Sequence, residues 1–223
     1  MAAADRGIGE DGPRYVAVEG PIGAGKTSLA RRLAQTFESE LVLERPEDNP
    51  FLERFYRDRR HAALPAQLCF LFQRTRQVQE FRQTGLFSPV RVADFLLEKD
   101  RLFAEVNLDP QELVLYEQIY DRLARDAPVP DLVIYLQAPV TVLLERIALR
   151  GIAYEKRIGR RYLERLNDAY ARFFHAYDQA PLLIVNAGDI DPIHREADYL
   201  QLLSQVRSVR HGRHFFNPGR GLT

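Results

Sequence analysis

One octapeptide restricts this chain more than any other feature. Gly20-Pro21-Ile22-Gly23-Ala24-Gly25-Lys26-Thr27 fits the pattern G-x-x-x-x-G-K-[ST]. It follows the apolar run Tyr15-Val16-Ala17-Val18 and Glu19, and it precedes a segment of helical character from Ser28 to Phe37. Strand, tight turn and helix in that order are the context in which the pattern cradles phosphate. Glycines let successive backbone N–H groups converge on one anion, and the helix adds the positive end of its dipole. Lys26 is placed to reach β- and γ-phosphates, and the Thr27 hydroxyl to ligate Mg²⁺. A random chain of this length would carry the pattern on the order of 1% of the time. Residues Gly20 to Ser28 are therefore expected to bind the phosphates of ATP.

The rest of the chain supplies a fold for that turn. Four further short apolar runs follow, at Leu41–Leu43, Val90–Ala93, Leu132–Leu136 and Leu182–Val185. Several are apolar throughout, as strands buried on both faces should be. Longer amphipathic segments separate them. One opens with Asp109, Pro110 and Glu112, an N-cap signature, and continues with Leu113, Tyr116, Tyr120 and Leu123 at helical spacing. Between Gly159 and Asp178, Leu163, Leu166, Tyr170, Phe173, Phe174 and Tyr177 form an apolar stripe that reads as core. Strands alternating with helices predict an α/β P-loop NTPase fold: a parallel five-stranded sheet, helices on both faces and an Arg-containing lid. The predicted organisation is one domain over residues 14–210, a disordered tail over 1–13 and a loose tail over 211–223.

Composition removes several function classes. Lys+Arg and Asp+Glu both number 31, so no basic excess points to a nucleic-acid polymer. No apolar run approaches the roughly 18 residues of a membrane span. Cys69 is the single cysteine, which excludes an internal disulfide. It lies in the run Leu68–Phe72 and reads as a small core side chain. These features, with an N-terminus that lacks an apolar targeting segment, predict a cytoplasmic protein.

Transfer of a phosphoryl group needs a carboxylate for the acceptor and cations for the moving charge. In an open parallel sheet both belong beyond the carboxyl ends of the strands. Glu44 follows the second apolar run and Asp94 ends the third. Arg146 and Arg150 lie four apart on one helix face, next to Gly151, as a lid closing over ATP would carry them.

At this point the sequence resembles the deoxynucleoside kinase family, closest to its bacterial purine-type members. The resemblance runs from Tyr15 to about Asn186 and rests on four motifs. They are Glu19–Thr27, Glu47-Asp48-Asn49-Pro50-Phe51-Leu52, Asp94-Phe95-Leu96-Leu97-Glu98-Lys99-Asp100, and Arg146-x-x-x-Arg150-Gly151. The resemblance implies ATP-dependent 5′-phosphorylation of a deoxynucleoside in nucleotide salvage, by a homodimer. It makes Asp94 the catalytic base and Glu44 the glutamate that hydrogen-bonds the 5′-hydroxyl, one taking the proton and the other assisting Mg²⁺. It gives Tyr56 and Glu155 the sugar 3′-hydroxyl, Gln67 the base edge, and Arg74 and Asp100 the choice of base. Gln67 and Arg74 stand seven residues apart, two helical turns, so they can face one pocket.

Two departures stand out. Phe95 occupies a position where many members carry Arg, and Ile152 replaces a further lid Arg, for which Arg157 is a possible substitute. Two other readings compete. A nucleoside monophosphate kinase of the thymidylate kinase type would share cradle and lid, and a non-catalytic nucleotide-binding module would need only the cradle.

Overall fold

The structure, a computed structural model, describes residues 13–80 and 90–217. The expected disorder of residues 1–13 lies outside them except for Pro13, as do residues 218–223 of the expected C-terminal tail. Six strands form one sheet: β1 (Tyr15–Glu19), β2 (Glu40–Val42), β3 (Arg91–Ala93), β4 (Leu132–Gln137), β5 (Leu182–Asn186) and β6 (Arg213–Phe216). Their order is β2-β3-β1-β4-β5-β6, and every neighbouring pair is parallel. The sheet thus has six strands and not the expected five. The sixth falls inside the stretch read as a loose tail, where Leu182–Val185 pair with Arg213–Phe216.

The helices are α1 (Lys26–Thr36), α2 (Leu52–Arg57), α3 (Arg59–Glu80), α4 (Lys99–Asn107), α5 (Pro110–Leu123), α6 (Val140–Arg150), α7 (Arg160–Ala176) and α8 (Glu196–Ser208). They flank the sheet. Residues Tyr15–Val18 of β1 and Leu132–Leu136 of β4 are all buried, which explains their uninterrupted apolar character. The capping box of α5 forms as expected. The Asp109 side chain accepts from the N–H groups of Gln111 and Glu112, and Glu112 reaches back to the Asp109 N–H. The stripe on α7 is core: Leu163, Leu166, Tyr170 and Phe174 are buried, with Tyr177 just beyond the helix. Cys69, by contrast, is half-buried on α3 and not in the core. Among the described residues no helix is long and apolar enough to cross a membrane.

This topology sets the site. β1 and β3 are adjacent, so the turn after β1 and the residue after β3 emerge side by side at the carboxyl edge of the sheet.

Candidate active site

The cradle forms where the sequence puts it, between the end of β1 and the start of α1. Two of its glycines are required by packing. Gly20 has φ +154°, and a Cβ there would meet the Leu136 carbonyl oxygen at 2.5 Å. Gly23 has φ +87°, and its Cβ would lie 2.8 Å from the Leu143 carbonyl oxygen. The turn is anchored from beneath by Glu19, a fully buried carboxylate. Glu19 accepts from the N–H groups of Gly20 and Leu96, at 2.7 and 2.8 Å, and from the Tyr170 hydroxyl at 2.9 Å. The Lys26 ammonium donates to the Pro21 carbonyl at 3.2 Å. Burial first, and then the charge of Lys99, lower the Lys26 pKa to about 8.

Asp94 follows β3 directly, and its N–H donates to the Val42 carbonyl. Its two oxygens face different neighbours. Oδ2 accepts from the Thr27 hydroxyl at 2.5 Å, and Oδ1 accepts from the Glu44 N–H at 2.7 Å. Glu44, two residues past β2, turns its carboxylate toward three cations. Oε1 accepts from the Arg74 guanidinium, and Oε2 accepts from the Lys99 ammonium at 3.2 Å. Burial disfavours its ionised form, but Arg74, Lys99 and Lys26 outweigh burial and hold the carboxyl well below the usual range.

Arg74 is itself shared. Its second terminal nitrogen stands 2.5 Å from Asp100 Oδ1, and Asp100 is fully buried behind it. Burial pushes the Asp100 carboxyl up, partly offset by Arg74. Gln67 lies two turns earlier on the same face of α3. It is buried, and its Nε2 has no hydrogen-bond partner among the described residues. An orphaned amide donor of this kind awaits an acceptor. Tyr56 stacks on Tyr154 with ring centroids 5.6 Å apart. Glu155 accepts from the Arg150 guanidinium at 2.6 Å through both oxygens.

One cleft brings most of these groups together. Lys26, Thr27, Glu44, Tyr56, Gln67, Arg74, Asp94, Arg150 and Glu155 all line it, with Phe55, Phe70 and Phe103 among its apolar walls. Asp100 does not reach the surface of this cleft. A second hollow lies across the cradle and is lined by Gly23–Leu29, by Arg146 and Arg150, and by residues 190–194 after β5. Arg146 faces that hollow with its guanidinium donating to the carbonyls of Ala24 and Ala187, at 3.2 and 2.8 Å.

Among the members of the cleft that sequence reasoning missed, Phe70 and Lys99 touch the predicted residues directly. Phe70 lies three residues after Gln67 and four before Arg74, so helical spacing alone marks it. Lys99 had no such signal. The Arg74 guanidinium lies over the Phe70 ring, 4.9 Å from its centre.

Known proteins match this arrangement along nearly the whole chain. The family model for deoxynucleoside kinases matches residues 16–211. A deoxyguanosine kinase of Bacillus subtilis is 34% identical over 203 residues, covering 87% of this chain and 97% of that protein. A deoxyadenosine/deoxycytidine kinase of the same organism is 27% identical, covering 88% and 93%. Among solved structures, deoxyadenosine kinase from M. mycoides with bound dCTP superposes with a TM-score of 0.75 at 26% identity, covering 86% of this chain and 98% of that one. The chain belongs to the deoxynucleoside kinase family.

Proposed function

We propose that this chain transfers the γ-phosphate of ATP to the 5′-hydroxyl of a purine deoxynucleoside, with Glu44 as proton acceptor and Asp94 as the carboxylate beside Mg²⁺. One observation carries the reading. The phosphate-side pair Lys26 and Thr27, the carboxylates Glu44 and Asp94, and the orphaned amide of Gln67 face a single cleft.

The sequence alone favoured Asp94 as base, and the hydrogen bonds favour the exchange of roles. Asp94 is tied to the cradle, accepting from the Thr27 hydroxyl through one oxygen and from the Glu44 N–H through the other. Thr27 Oγ1 and Asp94 Oδ2 form a pair of hard oxygen atoms, and such a pair fits Mg²⁺, which takes one or two protein oxygens and completes its shell with phosphates and water. When bound there, Mg²⁺ offsets charge on the β- and γ-phosphate oxygens. Glu44 stays ionised through the neutral range, and although Arg74 and Lys99 each hold one of its oxygens, a carboxylate oxygen keeps a second lone pair with which to accept a hydroxyl proton. Lys26 adds positive charge at the cradle, and Arg150 adds it once released from Glu155. Glu155, so released, pairs with Tyr56 at the sugar 3′-hydroxyl.

At the far end Gln67 presents a donor and an acceptor to a base edge, while Arg74 and Asp100 bias which base fits. Glu44 and Asp94 repel a phosphorylated acceptor, so a nucleoside is favoured over a monophosphate. The purine preference follows the deoxyguanosine and deoxyadenosine kinases among the relatives. Exposed Phe72 on α3 and Val114 and Leu115 on α5 give a second copy an apolar face, which supports a homodimer. A cytoplasmic salvage role fits the same reading.

Transfer rates with ATP and Mg²⁺ test it, using the four deoxynucleosides, adenosine and dTMP as acceptors. Deoxyguanosine or deoxyadenosine is expected to turn over fastest. Turnover of dTMP alone would overturn the reading.

A further inference from the structure

We infer that Lys99 is a positioning residue for phosphoryl transfer: with Arg74 it fixes the plane of the Glu44 carboxylate toward the acceptor hydroxyl, and so supplies the cation that the Phe95 position lacks. The inference rests on the role proposed for Glu44.

The chain path explains how Lys99 arrives there. Phe95 directly follows Asp94, and its side chain is fully buried in the core. The next residues turn back, and α4 begins at Lys99, five residues after Asp94. Its side chain enters the cleft and is 3% exposed. A lysine so buried needs a carboxylate partner.

Two carboxylates are near it, and they are not equivalent. Glu19 Oε2 lies 3.8 Å from the ammonium, beyond hydrogen-bond reach. Glu19 already accepts from Gly20, Leu96 and Tyr170. Glu44 Oε2 lies at 3.2 Å and is hydrogen-bonded. Arg74 holds the other oxygen of Glu44, Oε1. With one cation on each oxygen, the carboxylate cannot rotate without losing a charged contact. With Lys99 removed, it can pivot about Arg74, which is itself tied to Asp100. Catalytic groups lose rate when their orientation loosens, because the reactive geometry becomes a small fraction of the bound state.

A cycle of variants tests this in steady-state kinetics with ATP, Mg²⁺ and deoxyguanosine. Lys99→Met is expected to lower kcat about 10- to 100-fold, a part of what a general base contributes, with both KM values changed by less than about threefold. Lys99→Arg keeps the charge and is expected to recover most of kcat. Glu44→Gln combined with Lys99→Met is expected to be no slower than Glu44→Gln alone, since the two act through one group. Losses that multiply in the double variant would overturn the inference. A large rise in the KM for ATP that persists in the Glu44→Gln background would also overturn it, because Lys99 would then serve the phosphates directly. Should Lys99→Met not fold, Lys99→Gln carries the cycle with a smaller expected loss of kcat, since its amide is uncharged and shorter and holds the Glu44 oxygen less firmly. If Glu44→Gln alone turns over normally, the proposed role of Glu44 falls and this one with it. If Glu44→Gln is slow but the losses multiply, only the role of Lys99 falls.

Discussion

At the acceptor end of the cleft, charge is matched by other side chains of the protein. Glu44 and Asp100 face Arg74 and Lys99, two carboxylates against two cations, all but Glu44 nearly or fully buried. The donor end is arranged differently. Arg146 rests on two backbone carbonyls, and Arg150, 45% exposed at its side chain, is held by Glu155. On the proposed function, the difference follows from what each end receives. A nucleoside is neutral and cannot compensate an unbalanced pocket, so its charges must cancel internally before it arrives. ATP brings its own negative charge, so the cations that meet it can wait on partners that are easily given up.

The sharpest way to break the comparison is at Asp94, which touches both ends through Thr27 and Glu44. Asp94→Asn is expected to cost on the order of 10³-fold in kcat, while metal-free ATP affinity, read by calorimetry, stays near that of the parent protein. Arg74→Met attacks the balanced end. It leaves Glu44 and Asp100 short of a buried partner and is expected to cost about 3–5 kcal/mol of stability in denaturant unfolding. Arg150→Met attacks the waiting end. Its guanidinium is half-exposed while its partner Glu155 is buried, so the loss of stability should be about 1–2 kcal/mol, smaller than for Arg74→Met. Turnover should fall by at least about tenfold, through loss of a cation that stabilises the transition state. If Arg150→Met destabilised the fold as much as Arg74→Met, the contrast between the ends would be lost.

The smallest expected effect is at Glu98, which precedes α4 and lies outside both hollows of the site. Burial raises its carboxyl above the ordinary range, with Glu19 adding to the shift. A raised folded-state pKa means that the folded chain holds this proton more tightly than the unfolded chain. Stability is then lost as pH rises through the folded value. Glu98→Gln is expected to raise the melting temperature at pH 7, and the gain should vanish below about pH 4, where the carboxyl is protonated in both states.

Much of this molecule could be read from the chain. Local patterns carried the cradle, the five short apolar runs, the α5 capping box and the α7 stripe, because each depends on residues within a few positions of one another. Gln67 and Arg74 share a face through helical spacing alone. What escaped was long-range. β6 has four residues, an exposed Phe215 and a neighbouring Gly212, so nothing local marks it as a strand; its partner β5 lies about thirty residues earlier. Lys99 meets Glu44 across 55 positions, a contact that only the folded sheet produces. The core assignment of Cys69 failed for a related reason: an apolar run on a helix has an outer side, where Phe72 also sits exposed.

β6 has a practical consequence. It lies along the margin of the sheet and takes up the hydrogen-bonding groups of β5 on that side, with the Leu182 N–H already donating to the Gly212 carbonyl. A protein shortened before Gly212 would leave Leu182–Asn186 with a row of unsatisfied peptide groups flanked by apolar side chains. Such a margin recruits strands from other molecules. Trimming the far end of this enzyme to improve its behaviour in solution should instead make it clump.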